Sequence, residues 1–258
     1  MSCKGLAYGA ILFMLALLTH GETQTPLSNE FECVHPPYKV YVASKSPLVM
    51  YLEGFITPEE RRHLLELAYG NGTFKHSHVT SDSSQTIHAV RTSQSTSVRR
   101  SPTVRCIERR ALDLQGLDVP VSNVEPIQLV KYAPTERYHF HTDWFTDAQH
   151  AVASLGGNRA SSIFGYIKAE GVVGGGTNFP FLDAKSGEWC KFVDCDEEYE
   201  KGVTFRPVEG NAVFWENMVS GRGDERVLHA GLPVVRGEKV GMNIWVREGK
   251  VPDELRGL

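Results

Sequence analysis

Apolar positions along the chain change their period near residue 120. Before that point two short apolar runs, residues 38–42 and 48–55, have strand character and are followed by helical patterns. Thr57 can cap a helix, Pro58 sits at its first position and Glu60 completes a capping box. Leu64, Leu65 and Ala68 then share one face, and Gly70 ends the helix. Residues 71–101 are rich in Ser, Thr, His and Gln with little apolar periodicity, which fits either an active-site lid or a plain surface excursion. A second helix follows: Ser101 caps it, Pro102 opens it, Val104, Ile107, Ala111, Leu112 and Leu114 line one side, and Gly116 closes it.

From Glu125 onward the pattern becomes short apolar runs separated by turns. They fall at 127–132, 138–144, 162–169, 177–181, 203–205, 211–215, 227–235 and 240–246, with one short helix expected over 147–155, ended by Gly156-Gly157. Closely spaced strands of this kind predict a sandwich or jelly roll. With two helices in front of a β core, the expected class is α+β dominated by β. No internal repeat is visible, and no linker separates helices from strands, so residues 38–250 read as one domain.

Composition narrows the function. The net charge is −4, and the basic pairs Arg99-Arg100 and Arg109-Arg110 are too short for a nucleic-acid footprint. At the N-terminus, Lys4 precedes a nearly apolar stretch at 6–18, too short to span a bilayer comfortably. Residues 1–21 read as a signal peptide cleaved after Gly21, with an uncleaved signal anchor as the alternative, and 22–37 read as a linker. Either way the body faces the secretory lumen, and a membrane partner arises only if the segment is retained.

Beyond Cys3, the cysteines are Cys33, Cys106, Cys190 and Cys195, which allow three connectivities. Cys190 and Cys195 are close in sequence and are expected to pair, leaving Cys33 for Cys106; buried free thiols are the alternative. Asn71-Gly72-Thr73 is a glycosylation acceptor on a turn, or simply a turn.

The chemistry concentrates in Tyr138-His139-Phe140-His141-Thr142-Asp143-Trp144. In an extended segment, residues two apart share a face, so His141 and Asp143 point the same way. His229, inside the apolar run 227–235, offers a third metal ligand, and Lys239 follows at the start of that run's expected hairpin partner. Two His and one carboxylate leave open positions on iron(II), and a buried lysine needs an anion, which a dicarboxylate cosubstrate would supply. Arg222-Gly223-Asp224 sits in a charged stretch and reads as a turn between strands.

Residues 125–248 resemble the catalytic domain of the prolyl 4-hydroxylase family of iron(II)/2-oxoglutarate dioxygenases. The resemblance rests on Glu125-x-x-Gln128-x-x-x-Tyr132, Tyr138-x-x-His141-x-Asp143, Gly175-Gly176-x-x-Phe179-Pro180 and Gly210-Asn211-Ala212-Val213-Phe214-Trp215. It continues through Leu228-His229-x-Gly231-x-Pro233-Val234, Gly237-x-Lys239 and Trp245, with Arg91-Thr92-Ser93 upstream. It implies a double-stranded β-helix (jelly-roll) core with N-terminal supporting helices, in a secreted or ER-lumenal, fungal-like member. It also implies iron held by His141, Asp143 and His229, and 2-oxoglutarate held by Lys239 with Tyr132 and Thr177. Arg91, Glu125, Arg159 and Trp245 fall where family members contact substrate. O2 as oxidant and L-ascorbate as a rescuer of oxidised iron follow from the same resemblance.

Two departures stand out. Gly176 occupies a position often acidic in the family, which removes a charge from the expected rim. His139 would share a face with His141 and is either a rival ligand or a donor to one; the family register favours His141. Three functions stay open: hydroxylation of peptidyl proline in the secretory pathway, hydroxylation of a small molecule or modified peptide, and binding by a catalytically dead secreted protein. The intact His/Asp/His/Lys set argues against the last. An open groove near Trp245 and Arg159 would separate the first from the second.

Overall fold

A computed structural model describes residues 31–70, 74–76, 92–116, 118–196 and 201–257. The segment 1–21, Asn71 and Arg91 lie outside these residues, as does most of the stretch 71–91. Glu32–Leu258 forms one compact unit.

Two antiparallel sheets carry the architecture. The larger has eight strands, β1 (Lys39–Lys45), β2 (Leu48–Glu53), β11 (Ala212–Glu216), β7 (Arg159–Lys168), β16 (Lys239–Arg247), β5 (Gln128–Tyr132), β4 (Gln94–Ser97) and β3 (Lys75–His76), in that spatial order. The smaller has β10 (Val203–Phe205), β9 (Thr177–Phe179), β14 (His229–Gly231) and β6 (Tyr138–His141). Two-stranded ribbons pair β12 (Met218–Val219) with β13 (Arg222–Gly223), and β15 (Val234–Arg236) with β8 (Val173–Gly174). This is a double-stranded β-helix.

Alternation along β7 explains the layering. Ile163 and Ile167 belong to a core with Leu64, Ile107 and Ala111, contributed by α1 (Pro58–Gly70) and α2 (Pro102–Gln115). Phe164 and Tyr166, on the opposite face, belong to a second core with Phe179, Phe205 and Trp215. A strand covered on both faces reads as a continuous apolar run, which is why 162–169 lacks a polar period.

Both helix starts take the form that their sequences dictate. Thr57 Oγ1 accepts from the Glu60 amide at 3.2 Å while Glu60 Oε2 accepts from the Thr57 amide at 2.9 Å. Ser101 caps α2 by accepting from the Val104 amide, and Gly116 closes it. Glu60 has a further role that the capping pattern hides: its carboxylate pairs with the fully buried Arg110 of α2, which also donates to the Phe55 carbonyl. Disulfides join Cys33 to Cys106 and Cys190 to Cys195. The first ties the entering chain to α2 across 73 residues of sequence, a loop whose closure contributes roughly 4 kcal/mol in the chain-entropy picture.

Several expected elements are drawn differently. The run 138–144 is strand only through His141, and Asp143 sits in the bend beyond it. The run 227–235 breaks into a 3-10 turn at Glu225–Val227, then β14 and β15, because Pro233 lacks the amide needed to continue pairing. Lys239 does not begin a hairpin partner of that run: β16 pairs with β5 and β7. Residues 147–155 yield only the 3-10 turn Ala153–Leu155, with Gly156 left-handed behind it. The described parts of 71–101 include β3 and β4, which extend the large sheet instead of forming a plain loop. Arg222-Gly223 is not a turn but strand β13, paired with β12, and the Asp224 side chain behind it is 6 % exposed and paired with Arg226.

Candidate active site

Strand register assembles the centre. β14 lies between β9 and β6, and this pairing sets His229 opposite His141. Asp143, two residues past the end of β6, turns its carboxylate back between them. Its Oδ1 stands 3.8 Å from His141 Nε2 and 3.9 Å from His229 Nε2. The ligand-type atoms of these three residues all lie within 4.8 Å of one another. His139 is exposed and is not part of this cluster; its carbonyl oxygen serves the cluster instead.

Each member is oriented from behind. His141 Nδ1 is 2.7 Å from the His139 carbonyl oxygen, and His229 Nδ1 is 3.0 Å from that of Val227. A carbonyl can only accept, so both Nδ1 atoms carry the proton and both Nε2 lone pairs face the centre. Tyr138 stacks on the His141 ring at 3.5 Å between centroids, and Trp215 packs on His229 at 4.7 Å. Asp143 Oδ2 accepts from Ser162 Oγ at 2.6 Å and Trp245 Nε1 at 2.9 Å, which leaves Oδ1 for the centre. Burial opposes charge on Asp143; His229 and His141 lower its pKa when they are protonated, and Arg159 and the Ser162 hydroxyl lower it as well.

A cavity of about 440 Å³ opens onto the triad. Tyr132, Phe164 and Thr177 form part of its lining, with Trp245 and Arg159 on the same wall. Lys239 lies behind this lining and is fully buried, its Nζ 4.4 Å from the Tyr132 ring centroid. The ammonium donates to the Gly175 carbonyl, and burial alone draws its pKa down to about 7. Gly175 has φ +70°, so left-handed backbone aims that carbonyl at the lysine. Gly176 is buried rather than on a rim: a Cβ there would meet Thr204 Cγ2 at 2.5 Å. The acidic side chain often found at this position in the family therefore has no room here without a shift of β10.

Residues 127–247 match the family described as the 2OG-Fe(II) oxygenase superfamily, where 2OG is 2-oxoglutarate. Prolyl 4-hydroxylase 1 of Arabidopsis thaliana is 32% identical over 215 residues, covering 81% of this chain and 72% of that protein. Prolyl 4-hydroxylase 2 of the same plant is 29% identical, covering 92% of this chain and 80% of its own length. The chain belongs to the prolyl 4-hydroxylase family. It is a 2-oxoglutarate-dependent dioxygenase. Among solved structures, a viral collagen prolyl hydroxylase from Paramecium Bursaria Chlorella virus-1, in its 2OG complex, shares the fold. That match has a TM-score of 0.55 and 22% identity, covering 77% of this chain and 95% of that one.

As an iron(II) dioxygenase, this chain offers a donor set that fits the metal. Two imidazoles, each with Nε2 facing the centre, and one carboxylate converge there beside the cavity. Tyr132 and Thr177 both line the cavity: Tyr132 is the strand neighbour of Lys239, and Thr177 Oγ1 accepts from Tyr166 OH at 2.9 Å.

The residues expected at the substrate separate in the structure. Arg159 and Trp245 line the cavity, with the guanidinium 3.6 Å from the indole centroid. Trp245 also orients Asp143, a role its sequence position does not advertise. Glu125 does not line the cavity. It sits behind Arg159, accepting from it at 2.9 Å and pairing also with Arg247. Burial opposes its charge, but the two guanidiniums hold its carboxyl below the usual range.

Sequence reasoning missed Ser162, Asn217 and Asn243. Ser162 links Asp143 to the buried Asn217, whose Nδ2 donates to Ser162 Oγ at 2.9 Å. A serine in a continuous apolar run signals a buried hydroxyl that needs partners, though not which ones. Asn243 lies opposite Gln128 across β16 and β5 and donates to its side-chain oxygen at 3.2 Å on the cavity wall.

Proposed function

We propose that this dioxygenase hydroxylates prolyl residues of polypeptides in the secretory pathway. The observation that carries the reading is the convergence of His141, Asp143 and His229 at the mouth of a cavity backed by a fully buried lysine. In this reading His141 Nε2, Asp143 Oδ1 and His229 Nε2 hold iron(II). Lys239, with Tyr132 and Thr177, receives the cosubstrate. Bound iron with 2-oxoglutarate and O2 supplies an oxidant strong enough to hydroxylate an unactivated C–H bond, with succinate and carbon dioxide as co-products.

The chain's own residues do the rest. The carbonyls of His139 and Val227 fix the imidazole tautomers, while Ser162 and Trp245 fix the carboxylate. The Lys239 ammonium, paired among the described residues with one carbonyl and two ring faces, supports an anionic partner in a buried setting. Arg159, lying flat on Trp245 and held by Glu125, presents a rigid cationic plane to an incoming peptide.

Support for peptidyl proline comes from the names of the Arabidopsis relatives. Secretory location rests on the 1–21 segment and is consistent with two disulfides. Among the described residues no helix is long and apolar enough to cross a membrane. Ascorbate is expected to sustain turnover. The test is succinate release from 2-oxoglutarate across a panel of proline-rich peptides and free proline. Stimulation by a peptide and not by free proline supports the reading. Stimulation by free proline alone would instead make this a small-molecule hydroxylase.

A further inference from the structure

A second cavity, of about 620 Å³, lies over α2 and shares no lining residue with the active site. Four arginines reach it: Arg100, Arg105, Arg109 and Arg256. Its floor is apolar, from Leu112, Val119 and Val121. This concentration of positive charge is out of keeping with a chain whose net charge is −4.

The acids nearby do not account for it. Arg100 is engaged by the fully buried Glu108 through both its Nε and an Nη. Asp113, the acid on the cavity wall, stands 3.4 Å from His35 Nδ1. Asp253 approaches Arg256 only at 3.9 Å, and also faces Lys250. Arg105 and Arg109 are exposed and one helical turn apart, a like-charge spacing that weakens an isolated helix. Neither makes an ion pair among the described residues.

Arg256 is the less expected member. Its side chain is 7% exposed and its Nη2 donates to the Val121 carbonyl at 3.1 Å. Its Nε is buried with no hydrogen-bond partner. Burial and the neighbouring charge of Arg100 make its proton easier to lose, opposed by Glu108 and Asp253, so Arg256 stands against another cation with its charge only partly offset. Such an arrangement is relieved by an anion in the space the guanidiniums share.

We propose that this pocket binds a small oxyanion of the phosphate or sulfate type carrying more than one negative charge. Planar guanidiniums bind such groups through paired N–H donors, and an apolar floor accepts the carbon frame that carries them. The volume is that of a small-molecule site and not of a groove for a chain. An acidic peptide would meet the same charges but has no extended trough among these residues.

Titration calorimetry on the iron-loaded full chain, kept anaerobic with 2-oxoglutarate saturating, tests this with two probes: a bisphosphorylated sugar and a disulfated disaccharide. Binding of either, weakening as salt rises, is expected, and which one binds identifies the source of the oxyanion. The Arg105→Ala/Arg109→Ala double variant should lose at least about tenfold in affinity and keep its thermal midpoint and its succinate release. Arg109→Glu should lose more. Lys239→Ala should bind both probes as the parent does. Binding of neither probe at millimolar concentration, or equal affinity in the double variant, overturns the proposal.

Discussion

Replacing Lys239 with alanine should cripple 2-oxoglutarate binding while leaving iron binding nearly intact. The ammonium is fully buried and, among the described residues, touches one carbonyl and two ring faces with no carboxylate beside it. Burial draws its pKa from 10.5 to about 7. At about 1.36 kcal/mol per decade, that displacement is worth on the order of 5 kcal/mol, which an arriving carboxylate can offset. Breaking a buried charge pair costs about 3–5 kcal/mol, so the dissociation constant should rise at least about a hundredfold.

The same pKa gives a sign for pH. Unliganded Lys239 is protonated below about 7 and increasingly neutral above it, whereas the bound form must stay protonated. Affinity for 2-oxoglutarate should therefore be greatest at acid pH and fall, by up to about tenfold per pH unit, as pH rises above about 7. In Lys239→Arg the guanidinium does not titrate, so any remaining affinity should lose this dependence. Equilibrium binding of 2-oxoglutarate between about pH 6 and 9, with iron content measured on the same samples, checks both. An unchanged affinity in Lys239→Ala would place the anion elsewhere, on Arg159 or Arg247, both of which Glu125 already engages.

Other substitutions probe the surrounding framework. Asp143→Ala should abolish iron retention and turnover, whereas His139→Ala should retain most of both, since only its main-chain oxygen is used; iron analysis beside succinate release distinguishes them. Ser162→Ala removes one of two donors to Asp143 and should weaken iron binding by roughly tenfold to a hundredfold with little loss of fold, read by metal titration and circular dichroism. Glu125→Gln leaves Arg159 and Arg247 without their shared carboxylate and should lower unfolding free energy by about 3–5 kcal/mol in a denaturant titration. Unchanged stability would mean that solvent reaches those guanidiniums.

Much of this molecule can be read from its residues, and the boundary has physical causes. Helix starts are local, so Thr57, Glu60 and Ser101 announce their caps in sequence. Strands with one residue type per face are also local, and most of the expected strands occur within a residue or two of their places. The convergence of His141 with His229 depends on β14 lying between β6 and β9, a pairing no local pattern encodes. Family resemblance supplied it. A regular strand does not bring His141 and Asp143 to one face, because the strand ends at His141 and a bend brings the carboxylate round. Glu125 shows the reverse: its motif position implied substrate contact, yet two arginines distant in sequence bury it behind the cavity wall. Ser162 and Asn217 were invisible, since their importance lies wholly in what they touch.

The most direct test is mass analysis of a proline-rich peptide incubated with the iron-loaded chain, 2-oxoglutarate, ascorbate and O2. One added oxygen atom on a prolyl residue, matched mole for mole by succinate and lost in Asp143→Ala, is the expected result. Iron-loaded protein that yields neither succinate nor a modified peptide, or Asp143→Ala that yields both as the parent does, would contradict it.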